Sequence, residues 1–164
     1  MNNISLEVLQ QTAMGIQNDP SLGMTKWSAQ VNWKDGVQND LSIRNFPTLT
    51  TDEPAPLGGT DKGPNPIEYL IGAAASCFAI TFEVMATQKG MTLKQVEVTI
   101  EANLNAAVFL GIEEGDGGIL NPIIHLNVDT DGTKEQIQEI AEIALTKSPV
   151  LASLKKDIQL NITN

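Results

Sequence analysis

The sequence is poor in the residues that most often carry metal and redox chemistry. Among 164 residues there is one cysteine, Cys77, and one histidine, His125. A lone cysteine excludes an intramolecular disulfide, and with a single histidine no zinc-type ligand cluster can form. No metal or other cofactor is expected, and any redox chemistry must run through one thiol. Basic residues are also scarce: 10 Lys+Arg face 20 Asp+Glu, the net charge is −10, and Arg44 is the only arginine. Nucleic-acid binding draws most of its affinity from basic side chains that neutralise phosphates, so no nucleic-acid partner is expected. The charge-free stretch 69–82 is 14 residues long, short of the roughly 18 that suggest a membrane span, and it reads as a buried core segment. Residues 1–17 contain Glu7 but no Lys or Arg, unlike the basic flank of a signal peptide. These features lead us to expect a cytoplasmic protein with no membrane partner.

What is present fits one domain, which at this length can bury roughly 68–70% of the surface its unfolded chain exposes. Leu6, Leu9, Ala13 and Ile16 recur at spacings of three and four, predicting a helix over 5–17 with Ser5 as its cap. Over 24–33, Trp27, Ala29, Val31 and Trp33 alternate with polar residues, predicting a half-buried strand. Lys34-Asp35-Gly36 offers hairpin chemistry, and 37–46 returns as a second strand. Residues 47–66 are rich in Pro, Gly, Thr and Asp, a long loop of the kind that is usually functional or disordered, and it reads as functional.

Pro66 suits the first turn of a helix running over 67–89 to Gly90. That helix is apolar nearly all round and is expected to be buried on all sides, between a sheet and a further element or a second subunit. The small-residue run 72–76 is compatible with close helix approach, and equally with the helix propensity of Ala alone. A strand is predicted over 94–104, continued or paired by 106–112, and another over 122–128. Thr133 and Gln136 form a capping-box pattern before a stripe of Ile137, Ile140, Ala141, Ala144 and Leu145. Ser148-Pro149-Val150 interrupts, and Ile158, Leu160 and Ile162 alternate in a last strand.

Cys77 lies about three turns into the long helix. A free cysteine there is a small buried hydrophobe, unless a nearby cation lowers its pKa and solvent reaches it. Glu68 is an acid in the first helical turn, where the dipole favours it. It precedes Cys77 by nine residues, about 900° of unbroken helix and hence the opposite face. Lys34 and Arg44 are ordinary surface charges or thiol-activating cations. His125 reads as a plain strand residue. Trp27, Trp33, Phe46, Phe78, Phe82 and Phe109 read mostly as core, with an apolar pocket lining as the alternative.

The run from Asp52 through Pro54, Pro56, Gly58-Gly59, Gly63-Pro64-Asn65-Pro66 and Glu68 to Ala75-Ser76-Cys77-Phe78 resembles the OsmC/Ohr family of organic-hydroperoxide reductases and related proteins. Gly90, Val96-Glu97-Val98 and Ser148-Pro149-Val150 follow in the family's order, and the resemblance covers roughly 24–163. It implies an α/β (α+β) fold of antiparallel sheets packed on a long buried central helix. It also implies an intertwined homodimer with two active sites at the interface. The chain is then a single domain, 1–164, with an N-terminal helical extension over about 1–20. Cys77 matches the peroxidatic cysteine, while Ser148 stands where the peroxidases carry a second cysteine, so a sulfenic acid on Cys77 would need an external thiol. The peroxidases' Glu falls at Ile67 with Glu68 beside it, and their Arg falls near Lys34, with Arg44 as the other candidate. The implied function is thiol-dependent reduction of small organic hydroperoxides. The alternative is a non-peroxidatic dimer of the same superfamily that binds a small apolar or acyl ligand, with Cys77 structural.

Overall fold

The computed structural model describes residues 1–154 and 157–163. The chain forms two compact units, Glu7–Leu70 and a second built from Met1–Leu6 with Ile71–Asn164.

In the first unit, α1 (Leu6–Asn18) forms where the three-and-four spacing predicts it, yet none of its residues is buried. A 3-10 turn, Pro20–Gly23, follows, capped by Asp19, whose carboxylate accepts from the Ser21 amide and hydroxyl. The antiparallel sheet β1-β2-β3 comprises β1 (Gln30–Asp35), β2 (Gln38–Ser42) and β3 (Leu49–Thr51). The first strand starts later than its alternation predicts, and the hairpin loop is Gly36-Val37, with Gly36 at φ 54°. The second strand is correspondingly shorter than 37–46. The expected half-buried face is a correction: every residue of β1 is exposed, Trp33 at 71% and the preceding Trp27 at 76%. Alternation shows which side chains share a face. It cannot show that something covers that face.

The stretch 47–66 is not one irregular loop, because it contains β3 and a 3-10 turn, Ala55–Leu57. Asp52 organises it. Its buried carboxylate accepts from the Glu53 amide (2.8 Å), the Thr60 hydroxyl (2.7 Å) and amide (3.2 Å), and the Lys62 amide (3.1 Å). The chain folds back so closely that a methyl group at Gly59 would collide with the Glu53 carbonyl, and one at Gly63 with the Thr50 carbonyl. Those two glycines are therefore required by space.

The second unit is built on α2 (Pro66–Gln88), from Ile71 onward, against a sheet of β4 (Leu93–Asn103), β5 (Leu120–Thr130) and β6 (Gln159–Thr163). β4 and β5 are antiparallel as expected, but β6 lies parallel to β5. Parallel neighbours need a crossover. Here α4 (Lys134–Lys147) and α5 (Pro149–Leu154) provide it. Ala74, Phe78, Phe82 and Ala86, spaced by four, are fully buried against Ile100, Ile124, Leu126 and Val128 of the sheet and Ile137, Ile140, Ala141 and Ala144 of α4. The Phe78 and Phe82 rings stack at 6.5 Å, and full burial of each contributes roughly 1.5–3 kcal/mol.

Two further expectations are corrected. α2 is buried along that stripe and not on all sides: Gly72, Ala73, Ser76 and Ile80 are exposed. By length and composition α2 could cross a membrane, and its stripe is instead part of a core. Residues 106–112 do not extend the strand but form α3 (Ala106–Phe109), because Asn105 caps a helical turn by accepting from the Ala107 amide. The Thr133–Gln136 capping box forms as predicted.

Hydrogen bonds from Thr60, Lys62, Glu53 and the Thr60 amide hold the Asp52 carboxyl below the usual carboxylate range. A depressed folded pKa contributes stability that is present above the unfolded value, about 3.9, and lost as pH falls through the folded value. Thermal melts should therefore show the midpoint falling in that acid window. Asp52→Ala should lower the midpoint by several degrees at neutral pH and flatten that acid-side slope.

Candidate functional site

Cys77 sits on α2 between exposed Ser76 and buried Phe78, so its partly buried thiol lies on the flank of the core stripe. One turn on, the Thr81 hydroxyl donates to the Cys77 carbonyl at 2.8 Å. Ser148, 71 residues later in sequence, meets the same turn. Its preference for extended backbone before Pro149 ends α4, with ψ at 117°. Its hydroxyl is fully buried, donates to the Ala144 carbonyl at 2.7 Å, and lies 3.2 Å from the Thr81 hydroxyl and 3.3 Å from the Cys77 carbonyl. The end of α4 is thereby tied to the helical turn that carries the thiol. Thr81 is the residue that sequence reasoning missed, although a hydroxyl four places after a helical cysteine is a legible signal.

The remaining candidates have local partners. The Asn65 side chain accepts from the Glu68 amide at 2.9 Å, and the Glu68 carboxylate accepts from the Asn65 amide at 2.8 Å. This is a reciprocal capping box. α2 is continuous from Pro66 to Gln88, so no break in it brings Glu68 round to the face of Cys77. Lys34 pairs with Asp40 across the hairpin at 3.5 Å. Arg44 adopts a left-handed φ of 49° in the turn after β2, and its guanidinium lies 4.7 Å from the Phe46 ring centroid, a cation–π geometry. Lys34 and Arg44 belong to the first unit, and Cys77 and Ser148 to the second.

His125 is a β5 residue opposite Thr99, with Nε2 3.5 Å from Glu101 but no hydrogen bond. Among the described residues no group of three or more His, Cys, Asp or Glu side chains gathers as a metal site. Of the six aromatics, Phe78 and Phe82 are core as expected. Trp27, Trp33, Phe46 and Phe109 are not, each being more than half exposed.

The family described as OsmC-like protein matches residues 59–163, well over half of the chain. The chain belongs to the OsmC-like protein family. A curated relative, the uncharacterized protein YmaD of Bacillus subtilis, is 32% identical over 78 residues, and the match spans 46% of this chain and 51% of YmaD, about half the length of that relative. The OsmC-like protein of Mycoplasma pneumoniae shares the fold with a TM-score of 0.73 at 18% identity, over 85% of this chain and 96% of that one. An organic hydroperoxide resistance protein of Elizabethkingia anophelis superposes with a TM-score of 0.65 at 19% identity, over 85% and 95%. The corresponding protein of Legionella pneumophila gives 0.62 at 17%, over 85% and 96%. The mixed α+β architecture with its long helix is thus the OsmC-like fold.

In this OsmC-like chain Ser148 anchors the Cys77 turn through one hydroxyl. Ser148→Ala should cost about 1 kcal/mol of folding stability, measured by urea denaturation. Ser148→Lys should prevent folding, because a buried cation has no partner there.

Proposed function

We propose that the protein reduces small organic hydroperoxides with Cys77 as the reacting thiol. The observation that carries this is the placement of the chain's single cysteine at the edge of the core, on a turn held by Thr81 and Ser148. Two structural relatives named as organic hydroperoxide resistance proteins support the same chemistry. The Cys77 thiolate attacks the distal peroxide oxygen, the O–O bond breaks, the alcohol leaves after taking a proton, and the sulfur becomes a sulfenic acid. Ser148 cannot form a disulfide. An external thiol therefore attacks the sulfenic sulfur and releases water, and a second thiol frees Cys77 and leaves as the oxidised disulfide. A cytoplasmic thiol pool suits this turnover.

Arg44 or Lys34 is the cation that stabilises the thiolate, Arg offering the planar fork and Lys a point charge, and Glu68 orients it. Within one chain Glu68 caps α2 and Lys34 pairs with Asp40; in this reading the groups act on the thiol of a second copy in a homodimer. Trp27, Val31, Trp33, Phe46 and Ile80 are each more than half exposed in the single chain. Burying side chains of this size against a second copy is worth roughly 1.5–3 kcal/mol each, a large gain beside a typical folding stability of about 5–15 kcal/mol. The engagement of Glu68 in the cap favours a second reading, a dimer of the same fold that binds a small apolar or acyl ligand while Cys77 stays inert.

Alkylation of Cys77 as a function of pH, followed by cumene hydroperoxide consumption with dithiothreitol or a dihydrolipoyl donor, separates the two. A thiol titrating well below about 8.5, with turnover abolished in Cys77→Ala, is the expected result. An inert thiol in the folded protein would establish the ligand-binding reading instead. Light scattering after gel filtration should give twice the 17.6 kDa chain mass, and Trp33→Glu should shift the protein toward monomer. A monomeric wild type would overturn the dimer.

A further inference from the structure

Away from Cys77, the second unit holds a cavity of about 340 Å³ where the N-terminal residues meet α2 and the start of β4. Its volume falls within the roughly 300–1,000 Å³ typical of small-molecule sites. Glu83 of α2 lines it, half-buried, and among the described residues no hydrogen bond or ion pair joins its carboxylate. The one lysine of the lining, Lys94, is paired with Asp129 at 3.3 Å. Ile4, Leu93 and Val96 supply half-buried apolar lining, and Asn3 and Gln95 are exposed at its rim.

The wall on the N-terminal side is built with some strain. Asn2 and Asn3 are consecutive residues at φ 54° and 53°, a left-handed conformation that Asn tolerates better than most residues but that still costs energy. Asn2 is held there by its side chain, which donates to the Thr87 hydroxyl (2.8 Å) and the Met91 carbonyl (2.9 Å) and accepts from the Leu93 amide (3.0 Å). Those three bonds keep the wall in place, and among the described residues the Glu83 carboxylate beside it has no protein partner.

We propose that this cavity binds a small primary-amine cation with a short apolar chain, the ammonium on the Glu83 carboxylate and the chain over Ile4, Leu93 and Val96. The chemistry of the lining selects this class. An anion would meet Glu83 directly, and a purely apolar ligand would leave the carboxylate desolvated and unpaired. Burial already pushes the Glu83 carboxyl up, and a bound ammonium offsets that penalty by supplying the missing charge. The chain's net charge of −10 favours the approach of a cation. Nothing in this assignment uses the thiol, so it stands or falls separately from the peroxidase chemistry.

Calorimetric titration of the full chain with hexylamine, with hexan-1-ol and hexanoate as controls, tests it. The expected result is saturable hexylamine binding at one site per chain, with the two controls binding at least tenfold more weakly. Glu83→Gln should weaken the amine by about ten- to a hundredfold, the loss of one charge-assisted hydrogen bond. Gln95→Arg, which sets a cation at the exposed rim without touching the core, should weaken it in the same direction and decides the matter if Glu83→Gln folds poorly. Cys77→Ala should bind as wild type. Equal binding of hexan-1-ol, undiminished binding in a folded Glu83→Gln or in Gln95→Arg, or no saturable binding at all would each overturn the assignment.

Discussion

Everything in the second unit depends on one line of contact, the four-residue spacing of Ala74, Phe78, Phe82 and Ala86 along α2. A step of four residues advances a helix by about 400°, so the stripe winds slowly and stays in register with a twisted sheet over three turns. The small residues at its ends and the two stacked rings at its centre match a sheet face lined by Ile100, Ile124, Leu126 and Val128. Because that stripe fixes the rotation of the helix, it also fixes where each other side chain points. Cys77 adjoins Phe78 and is placed at the boundary between core and surface, and Glu83 adjoins Phe82 and is placed beside the start of β4.

The polar contacts refine what that stripe sets. Ser148 closes α4 onto the Cys77 turn with a hydroxyl that has no solvent access, so the geometry around the thiol is held by neutral hydrogen bonds. Glu68 is used at the opposite end of α2, satisfying an amide that the helix start leaves without an intrahelical partner. In the first unit a buried carboxylate has the equivalent role. Asp52 gathers three amides and a hydroxyl and makes an ordered structure of a Gly- and Pro-rich segment.

Much of this was legible before any coordinates. The apolar periodicities of α1, α4 and β4, the Pro66 start of α2 and the Thr133 capping box depend on spacings within one element, and all appear where expected. The two errors about burial have a common origin. The alternation through Trp27 and Trp33 suggests half burial, and the apolar girth of α2 complete burial, although composition carries no information about what covers a face. Asn105 turned the chain into α3 because a single side-chain cap outweighed a weak strand pattern. β6 joined in parallel because the α4–α5 crossover sets strand direction, which alternation cannot register.

By itself the sequence determined the type of the strongly periodic elements, the family, the absence of a second cysteine and the strongly acidic balance, since each is a property of residue identity or of spacing along one element. Tertiary structure alone decided that Ser148 meets the Cys77 turn across 71 positions, that Asp52 is the hub of its loop, and that Glu83 lines a cavity with no partner for its carboxylate among the described residues. The reason is physical: a hydrogen bond or an unpaired charge depends on distance and burial, and those are set only when separate elements pack against one another.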